Sequence, residues 1–327
     1  MTSSNMLITI VVNCYNRADM VRTALDSVWN QTYRPIELII VDDESKDNTM
    51  EVLEQWRSEH PDTKDFTSIA KTFPNGKLTL SRNRGLKLAH GDYIQFVDDD
   101  DWIYPNAIQA KAEYAKQYPD CDIIVNQLDY YRNGKVFGST HITLPDNQQI
   151  LIEYLLRHEC LLSATLMFKT QFLRDIGCWK EKLIFGDDME ITVRSAMNGG
   201  SFGLVDQSLG AYRFHNTGHR QCLTIRDRLP DDFIAQFYNH LLDLAVQRGY
   251  DSQINREAFA WRIRQDGADQ ISRGRFNCAR LCFQAADTIA NHPEDAKRWD
   301  DFSVPFSWRL LALKRKLKNF LKTTFRA

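Results

Sequence analysis

Four consecutive aspartates, Asp98 to Asp101, follow the apolar run Tyr93-Ile94-Gln95-Phe96-Val97. Carboxylates this close repel, or raise one another's pKa, unless a positive charge sits among them. A bound divalent cation removes the conflict, and oxygen ligands of this hardness select magnesium, manganese or calcium. An acidic loop or a helix N-terminus accounts for the same residues without a cation, because Asp favours both. Two other polar clusters stand in the same relation to an apolar run. Asn13-Cys14-Tyr15-Asn16-Arg17 follows Leu7–Val12, and Asp42-Asp43-Glu44-Ser45 follows Ile36–Val41. Tyr15 can stack on a planar base, Asp43 can accept a hydrogen bond from a base imide, and the Asp98–Asp100 pair can hold a metal against two phosphates. Ser81-Arg82-Asn83-Arg84-Gly85 adds cations and a helix start at the same edge. Both suit phosphate, although Arg82 reads equally as a surface charge.

These clusters need a scaffold that brings them to one rim. Continuous apolar runs predict buried strands at Leu7–Val12, Ile36–Val41, Tyr93–Val97 and Cys121–Val125. Helical spacing separates them over Asp19–Asn30, over Thr49–Trp56 with Ser45 or Asp47 as N-cap, over Arg82–His90 closed by Gly91, and after Pro105. Residues 57–77 read as polar and irregular, with a short apolar piece at Leu78–Leu80. The βαβ rhythm predicts a Rossmann-like, mainly parallel sheet flanked by helices, whose ligands sit at the carboxyl ends of the strands. Further on, Asn133-Gly134 predicts a hairpin. Leu161–Phe168 reads as a strand, Asp187–Asn198 as a helix ended by Gly199-Gly200, and Phe202–Val205 and Ala211–Phe214 as short strands. A C-terminal α-helical region follows. The expected partition is 1–221 for the sheet domain, 222–300 for the helical extension and 301–327 for a basic tail helix.

The ordered set resembles family 2 glycosyltransferases of the GT-A fold, from about Leu7 to Phe214. The resemblance is carried by Val11-Val12 through Tyr15-Asn16-Arg17, by Ser27 to Thr32, by Glu37 to Ser45, by Arg82-Asn83 with Gly85, and by Gly91 to Asp101. It implies transfer of a sugar from a nucleotide-sugar donor, with a UDP-sugar suggested by Asp43, to a hydroxyl of a glycan, lipid-linked or envelope acceptor, with inversion. Tyr15 and Asp43 match the uracil contacts. Asn16, Arg17, Arg82, Asp98 and Asp99 group with the nucleotide, and Asp98 can instead face the ribose or donor sugar. Asp100 matches a ligand for Mn2+ or Mg2+, and Asp101 reads as a cap for the next helix. Gly186-Asp187-Asp188-Met189-Glu190 with Arg194 resembles a motif whose second acid is the catalytic base, here Asp188. Asp187 stands where the family usually has Glu, and with Arg194 it is placed in an acceptor-side or supporting role. His215 of Tyr212-Arg213-Phe214-His215 resembles a residue that approaches the metal or diphosphate. The chemistry requires such parts: the attacking hydroxyl must lose a proton to a carboxylate, and the leaving diphosphate gains charge that a cation offsets. Asp187 and Asp188 could also serve only as N-caps, worth about 1 kcal/mol.

Composition narrows the alternatives. The chain has 327 residues and a formal net charge of −2, so it is not a generic nucleic-acid binder. Seven cysteines without zinc-finger spacing read as buried thiols of a reducing compartment. No run approaches the roughly 20 apolar residues of a membrane span. The expected location is cytoplasmic, or peripheral on the cytoplasmic membrane face. Residues 307–326 place Leu310, Leu313, Leu317, Phe320 and Leu321 on one helical face among lysines and arginines. That pattern suits either an anionic membrane surface or docking on the protein's own body. A sugar-phosphate nucleotidyltransferase is the competing enzyme, but Asn13 to Arg17 lacks the glycine-rich phosphate loop. A silent nucleotide-sugar binding module is the non-enzymatic alternative.

Overall fold

A computed structural model describes residues 5–158, 161–183, 185–215 and 229–291. In chain order these form β1 (Ile8–Cys14), α1 (Val21–Trp29), β2 (Ile36–Asp42), α2 (Thr49–Glu59), β3 (Phe66–Thr72), α3 (Leu78–Leu88), β4 (Tyr93–Asp98), β5 (Trp102–Ile103), α4 (Ala107–Gln117), β6 (Ile123–Arg132) and β7 (Lys135–Ser139). They continue with α5 (Gln148–Arg157), a 3-10 turn at Ser163–Thr165, β8 (Leu166–Lys169), α6 (Thr170–Asp175), α7 (Asp187–Met197), β9 (Phe202–Arg213), α8 (Phe233–Gln247), α9 (Gln253–Ser272) and α10 (Phe276–Ile289). One sheet runs β3-β2-β1-β4-β8-β6-β9-β5, with β7 paired to β6. Its first four strands are parallel. β8 then runs antiparallel to both β4 and β6, and β9 returns parallel to β6.

The apolar runs become strands because both of their faces are covered. Every residue of β1 is buried. Ile10 and Val12 join a core with Leu25 and Val28 of α1, Leu53 and Trp56 of α2, and Ile108 and Ala112 of α4. Val11 faces the other way, against α3, where a Cβ on Gly85 would lie 2.4 Å from Val11 Cγ1. Gly85→Ala is therefore expected to cost about 1–3 kcal/mol by overpacking, read as a lowered Tm.

Several expectations are corrected. Residues 57–77 contain a strand: β3 lies at the sheet edge and buries only Phe66 and Ser68, so it has no apolar run to betray it. The aspartate run consequently follows the fourth strand. α3 begins at Leu78 rather than Arg82. Gly91 is not its left-handed cap; a Cβ there would meet Thr9 N at 2.6 Å, so the residue serves close packing on β1. The stretch from Leu161 turns through the 3-10 segment before it extends. The two short strands after Phe202 are one, with register shifts opposite Gln127. Neither Ser45 nor Asp47 is the N-cap of α2; Asn48 holds that position without a side-chain cap, and Asp47 Oδ1 accepts from Thr49 N at 3.0 Å.

The described residues divide into two compact units, 5–145 with 161–215, and 146–158 with 229–291. α5 therefore belongs with the C-terminal helices despite its place in the chain. In that unit Arg157 lies over the Trp261 ring at 5.9 Å, and Gly267 lets α9 approach α10 closely at Cys282. The five cysteines among the described residues are free thiols. No described helix is long and apolar enough to cross a membrane. The expected boundary at 221 and the basic tail lie outside the described residues.

Candidate active site

Parallel register does most of the assembly. Cys14 pairs with Asp42 and Asn13 with Asp98, so the segments leaving β1, β2 and β4 emerge side by side. Their polar residues then stitch to one another. Asp99 turns inward: its carboxylate accepts from Tyr15 N at 3.1 Å and from Arg17 Nε at 3.3 Å. Burial, then the neighbouring Asp100, push its carboxyl well above the usual range. Asn16 adopts a left-handed backbone and accepts from Lys46 N at 2.7 Å, while Ser45 Oγ takes its N–H at 2.9 Å. Asp99 and Asn16, expected among the nucleotide contacts, thus hold the rim loops together. Arg17 lies 3.3 Å from Asp99 and 3.6 Å from Asp100, offsetting part of the charge of the aspartate run. Asp101 does not cap α4; its Oδ1 accepts from Arg213 N at 2.8 Å and ties the run to the end of β9. Asp43 accepts from Gly76 N at 2.9 Å and from Arg84 Nη1 at 3.1 Å. A carboxylate has lone pairs to spare beyond these, so Asp43 can still accept from a base.

Arg82 is the centre of the cluster. Its guanidinium is almost wholly buried and lies over the Trp179 ring at 4.5 Å. Asn83 fixes that ring's segment, donating to Trp179 O at 2.8 Å and accepting from Trp179 N at 2.9 Å. Arg82 Nη1 reaches Asp187 at 2.7 Å and Asp188 at 3.3 Å, and Nη2 reaches Asp98 at 3.2 Å. The rigid fork of donors suits this role better than a lysine would. One cation faces three carboxylates, so the set carries excess negative charge. Asp188 shows the consequence. Burial and then adjacent Asp187 push its carboxyl up to about 7, against the opposing pull of Arg82 and of the Ser163 hydroxyl, which donates to Asp188 Oδ1. Asp98 is raised as well, chiefly by burial. Arg82 was expected at the phosphates; its charge is instead engaged by carboxylates from β4 and α7.

His215 Nε2 lies 2.9 Å from Asp100 Oδ2, so these two expected metal-site residues do meet. Among the described residues no three His, Cys, Asp or Glu side chains gather to cage a metal. A hard cation at Asp100 would draw the rest of its shell from phosphate oxygens and water, as magnesium-type ions do. The donor set fits that use. Arg194 does not reach the cleft. It is buried against Glu190 and donates to the carbonyls of Ile176 and Cys178, pinning the loop before α7, so only its supporting role stands. Sequence reasoning missed Ser163, Trp179 and Gly76; the first two stand outside any polar run, Gly76 is one of many residues in the irregular stretch 57–77, and only packing brings them in. Arg84 was visible in the run from Ser81. Both amide atoms of Asn13, with Ser81 Oγ, Arg82 Nε and Trp179 Nε1, are buried without hydrogen-bond partners. Such atoms in native proteins ordinarily meet water or a ligand.

The sequence profile of glycosyl transferase family 2 matches residues 9–176. An uncharacterized glycosyltransferase of Bacillus subtilis, EpsJ, is 33% identical over 89% of this chain and 81% of its own length. The poly(ribitol-phosphate) beta-glucosyltransferase of Bacillus spizizenii is 35% identical over 38% of this chain, which spans only 19% of that protein. Among solved structures, S. aureus TarS residues 1–349 in complex with UDP-GlcNAc superposes with a TM-score of 0.70 at 16% identity, covering 96% of this chain and 92% of that one. The chain spans less than two thirds of the length of several curated relatives it matches. Fold, profile and the EpsJ relative agree: the chain belongs to glycosyl transferase family 2 and has the GT-A fold.

Proposed function

We propose that the enzyme moves a sugar from a UDP-sugar to a hydroxyl of a glycan, lipid-linked or envelope acceptor, with inversion, and that Asp188 is the general base. The observation that carries this reading is the carboxylate of Asp188, pushed up to about 7 by burial and by Asp187, bonded to the Ser163 hydroxyl and to Arg82, which also reaches Asp98 on the nucleotide rim. A base works best when its pKa lies near the operating pH. In one displacement the acceptor oxygen bonds to the anomeric carbon, its proton passes to Asp188, and the bond to the diphosphate oxygen breaks with its electron pair leaving on the nucleotide. Tyr15 and Asp43 would orient the base. The UDP-GlcNAc complex of the TarS structure supports a uridine donor. Asp100 and His215 would hold Mn2+ or Mg2+, which when bound offsets the charge on the departing diphosphate.

A thermal-shift series tests the binding half. With a hundredfold excess of UDP over Kd and manganese present, stabilisation of about 3 kcal/mol, or roughly 5–10 °C, is expected. Without metal the shift should be much smaller, and Asp100→Ala should abolish the metal-dependent part. An unchanged shift in that variant removes Asp100 as the ligand. Donor hydrolysis without acceptor separates an enzyme from a silent binding module.

A further inference from the structure

Lys111 is a charged side chain with no solvent exposure. It lies on α4, whose Ile108, Ala112 and Ala115 pack into the apolar core below the sheet. Burial alone pulls its ammonium down to about 7, with no carboxylate to compensate. A methionine would fill such a position without that penalty, so the amine must supply something that packing does not. What it supplies is a hydrogen bond: Lys111 Nζ donates to Gln95 Oε1 at 2.8 Å. Gln95, fully buried on β4, directs the other end of its amide onward, Nε2 donating to the Ala164 carbonyl at 3.4 Å. Ala164 is the middle residue of the 3-10 turn Ser163–Thr165. Ser163, the first residue of that turn, donates its hydroxyl to Asp188. A continuous line of contacts therefore runs from α4 through β4 and the turn to the head of α7.

We propose that Lys111 and Gln95 are positioning residues for the base: by holding the Ala164 carbonyl they fix the turn that presents the Ser163 hydroxyl to Asp188. This rests on Asp188 being the base. The hydroxyl favours the ionised carboxylate and aims it, so a loosened turn weakens both effects. The other charged groups facing Asp188 are Arg82, Asp187 and Asp98, and none of them touches Lys111.

The test compares full-length variants by pH–rate profile. Lys111→Met should fold with a Tm equal to or above that of the wild type and keep its donor KM within about twofold. Its kcat at neutral pH should fall about tenfold, the acid limb moving to higher pH. Ser163→Ala should show the same displacement, and combining it with Lys111→Met should add little, since both act on one contact. Gln95→Glu gives an independent arm: it keeps an acceptor for Lys111 but loses the donor to Ala164, and should displace the limb likewise. Wild-type profiles in Lys111→Met and Gln95→Glu, or effects that multiply with Ser163→Ala, overturn the inference. A wild-type acid limb that persists in Asp188→Asn instead overturns the assignment of the base, and this inference with it.

Discussion

Asp188→Asn is expected to leave a folded protein that binds UDP as the wild type does, while sugar transfer falls by about 10³-fold. The amide keeps the shape and can still meet Ser163, but it cannot take a proton. The pH dependence sharpens the test. In the wild type kcat/KM should rise with pH through about 7, because only ionised Asp188 accepts the acceptor's proton. The variant's residual rate should lack that limb. Stability runs the opposite way. The folded pKa lies above the unfolded value of about 3.9. The native state therefore holds this proton more tightly, and the stabilisation present at low pH is lost as pH rises through about 7. Asp188→Asn removes that loss, so it should be the more stable protein at pH 8 by roughly 4 kcal/mol at most, the pull of Arg82 being already contained in the folded pKa. Retained turnover would move the base elsewhere.

Replacing Arg82 should damage the fold itself. Arg82→Met leaves Asp98, Asp187 and Asp188 without their shared cation, and removing one partner of a buried ionic set costs about 3–5 kcal/mol. For a chain of this size that is a Tm loss of roughly 6–15 °C. The loss should grow with pH. Arg82 lowers the pKa of Asp98 and of Asp188, so without it both hold protons to higher pH, and ionising them becomes steadily more expensive above neutrality. At pH 5, where Asp188 is largely protonated in either protein, the gap should narrow. Differential scanning calorimetry from pH 5 to 8.5 measures this directly. A constant gap would mean that Arg82 stabilises by stacking on Trp179 rather than by neutralising carboxylates.

Much of the scaffold was legible because burial on two faces writes continuous apolar runs. β1, β2 and β4 announced themselves, and their polar exits marked the rim. The Asp187-Asp188 pair was legible as the head of α7, since a helix start and a run of acids are both local signals. β3 was not, because an edge strand shows water half of its residues. α5 was neither expected as a helix nor placed with the C-terminal helices, because apolar periodicity at most says that a segment packs, not against what.

The order of types along the chain, read alone, determined the α/β class, the family, and the set of carboxylates from which a site would be built. Only the tertiary structure decided which charges meet. Asp188 lies 106 positions from Arg82 in sequence, and their contact exists because sheet register and the packing of α3 and α7 bring them together. Other long-range contacts turned Asp99 inward, withdrew Arg194 from the cleft and enclosed Lys111. Periodicity records whether a side chain faces core or water, over a few residues at a time. The choice of partner is a long-range property of the folded chain, and ionic pairing depends on that choice more steeply than burial does.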